Sequence, residues 1–182
     1  MPATPPLIVV MGVSGSGKTT IGELLAHRLG IPFDDADTLH PASNVAKMAA
    51  GHPLTDADRW PWLASVGAAL AAAESTGLVM ACSALKRSYR DAILAAEPNA
   101  TFVDLEGSRA LLESRVIRRH GHFMPASLLD SQLATLEPLA ADEPGVRIDL
   151  DTHPTPDSLV GEIVEAMSLA DVASARIPKE RA

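Results

Sequence analysis

The segment Gly12-Val13-Ser14-Gly15-Ser16-Gly17-Lys18-Thr19 has the pattern glycine, any four residues, glycine, lysine, threonine, and it follows the apolar run Leu7 to Met11 directly. From Lys18 to Leu29, Ile21, Leu24, Leu25 and Leu29 recur at helical spacing, and Gly30 and Pro32 stop the helix. A strand, a glycine-rich turn and a helix in this order are the context that a phosphate-binding loop requires. Backbone N–H groups turn inward around a triphosphate, glycines permit the close approach, and the helix contributes the positive end of its dipole. Lys18 is placed to reach the β and γ phosphates, and the Thr19 hydroxyl to ligate Mg2+.

The rest of the chain repeats the alternation. Apolar runs at Leu78 to Cys82, Thr101 to Leu105 and Val146 to Leu150 read as buried strands, with a weaker one at Ile31 to Asp35. Helical patterns lie near residues 55–76, 85–96, 108–119, 125–136 and 155–169. Thr55 and Asp58 have capping-box spacing, although Pro61 leaves open whether Asp58 is the cap or the first residues form a separate turn. The expected architecture is a three-layer α/β/α domain around a five-stranded parallel sheet, spanning residues 1–170, with a loose tail at 171–182.

Composition narrows the partners. Of 182 residues, 47% are hydrophobic and 21% charged, enough for one well-buried core. A net charge of −8 argues against nucleic acid or an anionic membrane as partner, and points to a small molecule. The single cysteine, Cys82, excludes an intrachain disulfide framework and reads as a small core residue. The first apolar run is too short to span a bilayer and has no basic segment before it, so the expected location is the cytoplasm.

Three further segments carry chemistry. No N-K-x-D base-recognition motif occurs, which disfavours a guanine-specific switch, and the third strand ends in Cys82-Ser83 rather than an acidic residue. The obvious candidates for a carboxylate near the metal are Asp35 and Asp37, which follow the second strand at the rim of the phosphate loop. Asp35 is expected on a magnesium-bound water and Asp37 on an acceptor hydroxyl, as orienting group or weak base. The alternative for these aspartates is an Asx turn, the role assigned to Asp34. Lys86, Arg87 and Arg90 oppose the dipole at a helix start, so either an anionic acceptor compensates them or they are solvated. Arg115, Arg118 and Arg119 end another helix, where they complement its dipole or serve as lid cations over the phosphates. His120 and His122 are too few and too loosely supported to read as a metal site.

Taken together, GVSGSGKTTIGELLAHRLG, DADTLHPASNVAKMAAGHPLTDADRWPWL, ACSALKRSYRD and ESRVIRRHGHFM with SQLATLEP resemble the gluconokinase family of small P-loop sugar-acid kinases, from about Leu7 to Leu150. The resemblance implies a nucleoside-monophosphate-kinase-like fold with a lid near residues 115–136, and a homodimer. It implies transfer of phosphate from ATP to the 6-hydroxyl of D-gluconate, with Mg2+. Gly12 to Thr20 would bind ATP, with Lys18 catalytic. Asp37, His40, Arg59, Lys86, Arg87 and Arg90 would surround gluconate, and Arg115 and Arg119 would be the lid arginines. In related kinases the loop corresponding to residues 151–154 touches adenine.

Overall fold

The computed structural model describes residues 4–118, 126–152 and 155–175. Five strands, β1 (Leu7–Met11), β2 (Phe33–Asp35), β3 (Leu78–Ala81), β4 (Thr101–Glu106) and β5 (Gly145–Asp149), form one sheet in the order β2-β3-β1-β4-β5. Every neighbouring pair is parallel. The helices are α1 (Lys18–Leu29), α2 (Ala42–Ala49), α3 (Asp56–Ala72), α4 (Arg87–Ala96), α5 (Arg109–Arg118), α6 (Ala126–Thr135) and α7 (Pro156–Ala175), with a short 3-10 turn at Ala36–Leu39.

The inner strands β1 and β3 are apolar throughout because both faces of the sheet are covered there. Leu7, Val9 and Met11 face a core built with Trp62, Leu63, Val66 and Leu70 of α3 and Tyr89 and Ile93 of α4. Ile8 and Val10 face the opposite core, with Ile21 and Leu25 of α1 and Leu159, Val160 and Ile163 of α7. The period of two along a strand thus sorts neighbouring residues into the two outer layers. Each fully buried aliphatic side chain contributes about 1.5–3 kcal/mol relative to exposure.

Thr55 is the cap of α3, and both arms of its capping box with Asp58 are made. Pro61 is carried inside the helix, so neither of the two alternatives raised by that proline is adopted. The Asp58 carboxylate accepts from the Thr55 N–H, the Thr55 hydroxyl and Lys47, anchoring the start strongly enough for the proline to follow. Helix α2 occupies a stretch in which no helix was expected, and α7 continues to Ala175, six residues beyond the expected end. The remainder of the expected tail, 176–182, lies outside the described residues. Among the described residues, no helix is long and apolar enough to cross a membrane.

Candidate active site

The phosphate loop leaves β1 at the carboxyl edge of the sheet and enters α1 through Gly17, whose φ of 90° lies in the left-handed region. Gly15 has φ 83° and is pressed under α5, where an added Cβ would stand 2.8 Å from the Leu112 carbonyl and 2.9 Å from Val116 Cγ2. Both positions therefore require glycine, one for its backbone conformation and the other for space as well. Lys18 Nζ donates to the Val13 carbonyl at 3.1 Å, so its ammonium lies back along the loop it belongs to. Ser16 is fully buried, and its hydroxyl has no hydrogen-bond partner among the described residues.

The acidic segment splits into separate tasks. Asp35 Oδ2 accepts from the Thr19 hydroxyl at 3.1 Å, which joins the end of β2 to the start of α1. Its other oxygen accepts from the Asp37 N–H at 3.1 Å, while Asp34 Oδ1 takes the Asp35 N–H at 2.8 Å. The turn expected at this segment and a carboxylate beside the loop threonine are thus both present. The Asp37 side chain is 84% exposed, and its Oδ1 lies 4.0 Å from His40 Nε2. Burial pushes the Cys82 thiol up to about 12, with Asp37 and Asp35 raising it and Ala84 and Lys18 lowering it. A hydroxyl and a carboxylate oxygen side by side are the hard donors that Mg2+ prefers.

His40 stacks on Trp62 with ring centroids 4.3 Å apart, and the Trp62 indole N–H donates to the Ala36 carbonyl at 2.7 Å. Helix α3 therefore holds the segment from Ala36 to His40 in place. Burial, ahead of the opposing effect of Asp37, lowers the His40 pKa from its ordinary 6.5, and Arg59 lowers it further. Arg59 Nη1 donates to the Leu54 carbonyl at 2.6 Å, and its guanidinium lies over the Tyr89 ring, 5.7 Å from the centroid.

The three cations of the α4 segment take different roles. Lys86 lies over the other part of the same environment, 5.3 Å from the Tyr89 centroid, and donates to both oxygens of Asp56 at 2.9 and 3.0 Å. The Tyr89 hydroxyl donates to Asp56 as well. Hydrogen bonds from Tyr89 and then Lys86 hold the Asp56 carboxyl below its ordinary value. Arg87 forms a bidentate pair with Asp142 at 2.7 and 2.9 Å on the surface.

Arg90, expected at the acceptor, has no exposed surface. Its Nε and Nη2 bind the two oxygens of Glu143 at 2.6 and 2.8 Å, and Nη1 donates to the carbonyls of Ala84 and Glu137 at 3.1 and 3.0 Å. In this conformation an acceptor anion has no path to it. Arg90 instead fixes the loop after β3, where Ala84 holds a left-handed φ of 40°. Sequence inspection missed this because Glu143 lies 53 positions away.

On the lid side, Arg115 Nη1 approaches the Ser16 carbonyl at 3.4 Å. Arg119 lies outside the described residues, as do His120 and His122. Gln132 of α6, contained in the SQLATLEP segment but given no role from sequence, accepts the Ser14 N–H at 2.7 Å. Asp56 and Tyr89 were also missed, and the one available signal was their position beside residues that had been singled out.

This chain is 48% identical over 169 residues to a gluconokinase of Gluconobacter oxydans (strain 621H), covering 92% of this chain and 94% of that protein. The chain belongs to the gluconokinase family. A second member of the gluconokinase family, the thermoresistant gluconokinase of Escherichia coli (strain K12), is 44% identical over 148 residues, covering 80% of this chain and 85% of its own length. The crystal structure of a gluconokinase from Sinorhizobium meliloti 1021 superposes with a TM-score of 0.84 at 45% identity, covering 95% of this chain and 98% of that one. The sequence also matches the AAA domain family over residues 7–139, which contain the phosphate loop, the acidic segment and both cation segments.

Proposed function

We propose that this gluconokinase-family chain phosphorylates D-gluconate at its 6-hydroxyl with ATP, giving 6-phospho-D-gluconate and ADP. The observation that carries the reading is the contact of Thr19 with Asp35 at the loop rim, two residues before an exposed Asp37. This pairing supports a reading in which Asp35 serves the metal side and Asp37 the acceptor side of one short segment.

In the proposed reaction, the loop N–H groups from Gly12 to Thr20, apart from that of Ser14, which Gln132 already holds, bind the ATP phosphates, and Lys18 leaves the Val13 carbonyl to meet the terminal phosphoryl group. Thr19 and Asp35 would hold Mg2+, which would supply positive charge to the transferring phosphates. Asp37 orients the 6-hydroxyl in line and accepts its proton as the new O–P bond forms and the β–γ bridge breaks. Arg115 lies close enough to the loop to stabilise the charge that passes to ADP, and Arg119 is proposed to act with it. Arg59 and Lys86 remain the candidates for the gluconate carboxylate, with His40 shaping the acceptor pocket. Arg87 stands at the margin of this group because Asp142 already holds it.

The family resemblance supports a homodimer, and the net charge of −8 supports small molecules rather than nucleic acid as partners. The test is ADP formation from ATP and Mg2+ across a panel of sugar acids and shikimate. Turnover is expected with D-gluconate. None above background, or a much higher kcat/KM for shikimate, would sink this assignment.

A further inference from the structure

The contact between Gln132 and Ser14 has no part in the reaction as described. Helix α6 is docked by an apolar stripe in which Leu129 is buried, and Leu133 and Leu136 pack against the same core as Val13 and Leu112. Asp130 adds an ion pair to Arg109 at 2.7 Å, tying α6 to the start of α5. Three positions after Leu129, Gln132 shares the docked side of the helix and delivers its Oε1 to a main-chain N–H inside the phosphate loop. A backbone N–H donor requires an oxygen opposite it, so the amide is oriented with its NH2 group away from Ser14.

The loop is therefore held from two sides. Helix α5 closes on Gly15 from one side, and α6 fastens to Ser14 through one hydrogen bond. This bond is made to the backbone, so it registers α6 against the loop itself and is independent of which side chain occupies position 14. We propose that Gln132 is a positioning residue that seats α6 on the phosphate loop and keeps water out of the transfer site. The proposal rests on the phosphoryl-transfer reading above. With the seat in place the acceptor oxygen attacks the terminal phosphorus, and ADP leaves. With it lost, a water oxygen takes the acceptor's place, and the products are ADP and inorganic phosphate.

The test uses the full chain with Gln132→Leu, which keeps the volume and removes the acceptor oxygen, and Gln132→Glu, which retains an oxygen for Ser14. Amide exchange at Ser14, followed by NMR without nucleotide or acceptor, is expected to accelerate in Gln132→Leu and stay protected in Gln132→Glu. The Ser16 amide, bonded to the Val13 carbonyl, serves as the internal reference. With ATP, Mg2+ and D-gluconate, Gln132→Leu is expected to lose about 10- to 100-fold in phosphorylated product per unit time. Its share of ATP lost to inorganic phosphate rises, while ATP affinity by calorimetry changes less than about threefold. Gln132→Glu restores the partition toward product, and its added charge weakens ATP. Unchanged Ser14 exchange in Gln132→Leu, an unchanged partition, or ATP bound more than about tenfold tighter would overturn the proposal. The exchange result needs no acceptor, so it stands apart from any failure of the gluconate assignment.

Discussion

The phosphate loop and the acceptor wall are built in opposite ways. The loop is a main-chain device: eight consecutive residues, two of them glycines with φ near 90°, present donors whose positions follow from the backbone. The acceptor wall is a side-chain device, assembled from the ends of β2, α3 and α4, and most of its charges already have partners in the chain. Lys86 is held by Asp56, Arg87 by Asp142, and Arg90 by Glu143. Cations from one five-residue segment thus range from half-exposed to fully enclosed. Charge near a site is not the same as charge available to a ligand, and burial with a partner decides between them.

The largest effect is expected on the loop side. Lys18→Ala should lower acceptor-dependent ADP formation by about a thousandfold or more, since a preorganised cation at the developing charge is lost. On the other side, Arg90→Met leaves the Glu143 carboxylate enclosed without its partner, and urea denaturation should show a loss of about 3–5 kcal/mol. A stable Arg90→Met protein with intact kcat and a greatly raised KM for gluconate would return Arg90 to the acceptor. Asp37→Asn should lower kcat by about a hundredfold with ATP affinity unchanged, and normal turnover would remove its assigned role.

The smallest effect concerns His40. Its folded pKa lies below the ordinary 6.5, mainly through burial, so under acid conditions the unfolded chain takes up a proton more readily than the folded one. The stabilisation is therefore complete above about pH 6.5 and is lost as pH falls through the folded value. His40→Gln should flatten the pH dependence of stability below 6.5, and identical slopes for both proteins would show that burial does not control this ring.

Local signals marked the strands and the loop well. Leu7–Met11 falls where its apolar run places it, and the other strands differ from expectation by one or two residues at their ends. Runs buried on both faces leave a continuous imprint, whatever lies next to them in space. Helix α2 left a weaker one. It follows Pro41, spans eight residues, and turns polar Asn44 inward, where its amide donates to the Asp58 carbonyl at 2.8 Å. An apolar stripe was the wrong thing to look for there. Asp35 was legible because its partner Thr19 belongs to a motif, whereas Arg90 was not, because Glu143 belongs to none. Sequence spacing carries information about neighbours along the chain and little about pairs formed by folding over fifty residues.

The strap from Glu137 to Glu143 has a mechanical consequence. The Glu137 N–H donates to the Leu85 carbonyl at 2.8 Å, its carboxylate accepts the Arg87 N–H at 2.7 Å, and Arg90 grips the other end through Glu143. This anchor lies two residues past the end of α6 and five past Gln132. At 1.5 Å per helical residue, the amide rides on a lever of only about 7 Å. A tilt of α6 by about 10° about such a pivot moves it by little more than 1 Å, enough to break a hydrogen bond without displacing the helix. The strap is anchored at both ends and the arm is short, so the contact responds as a latch.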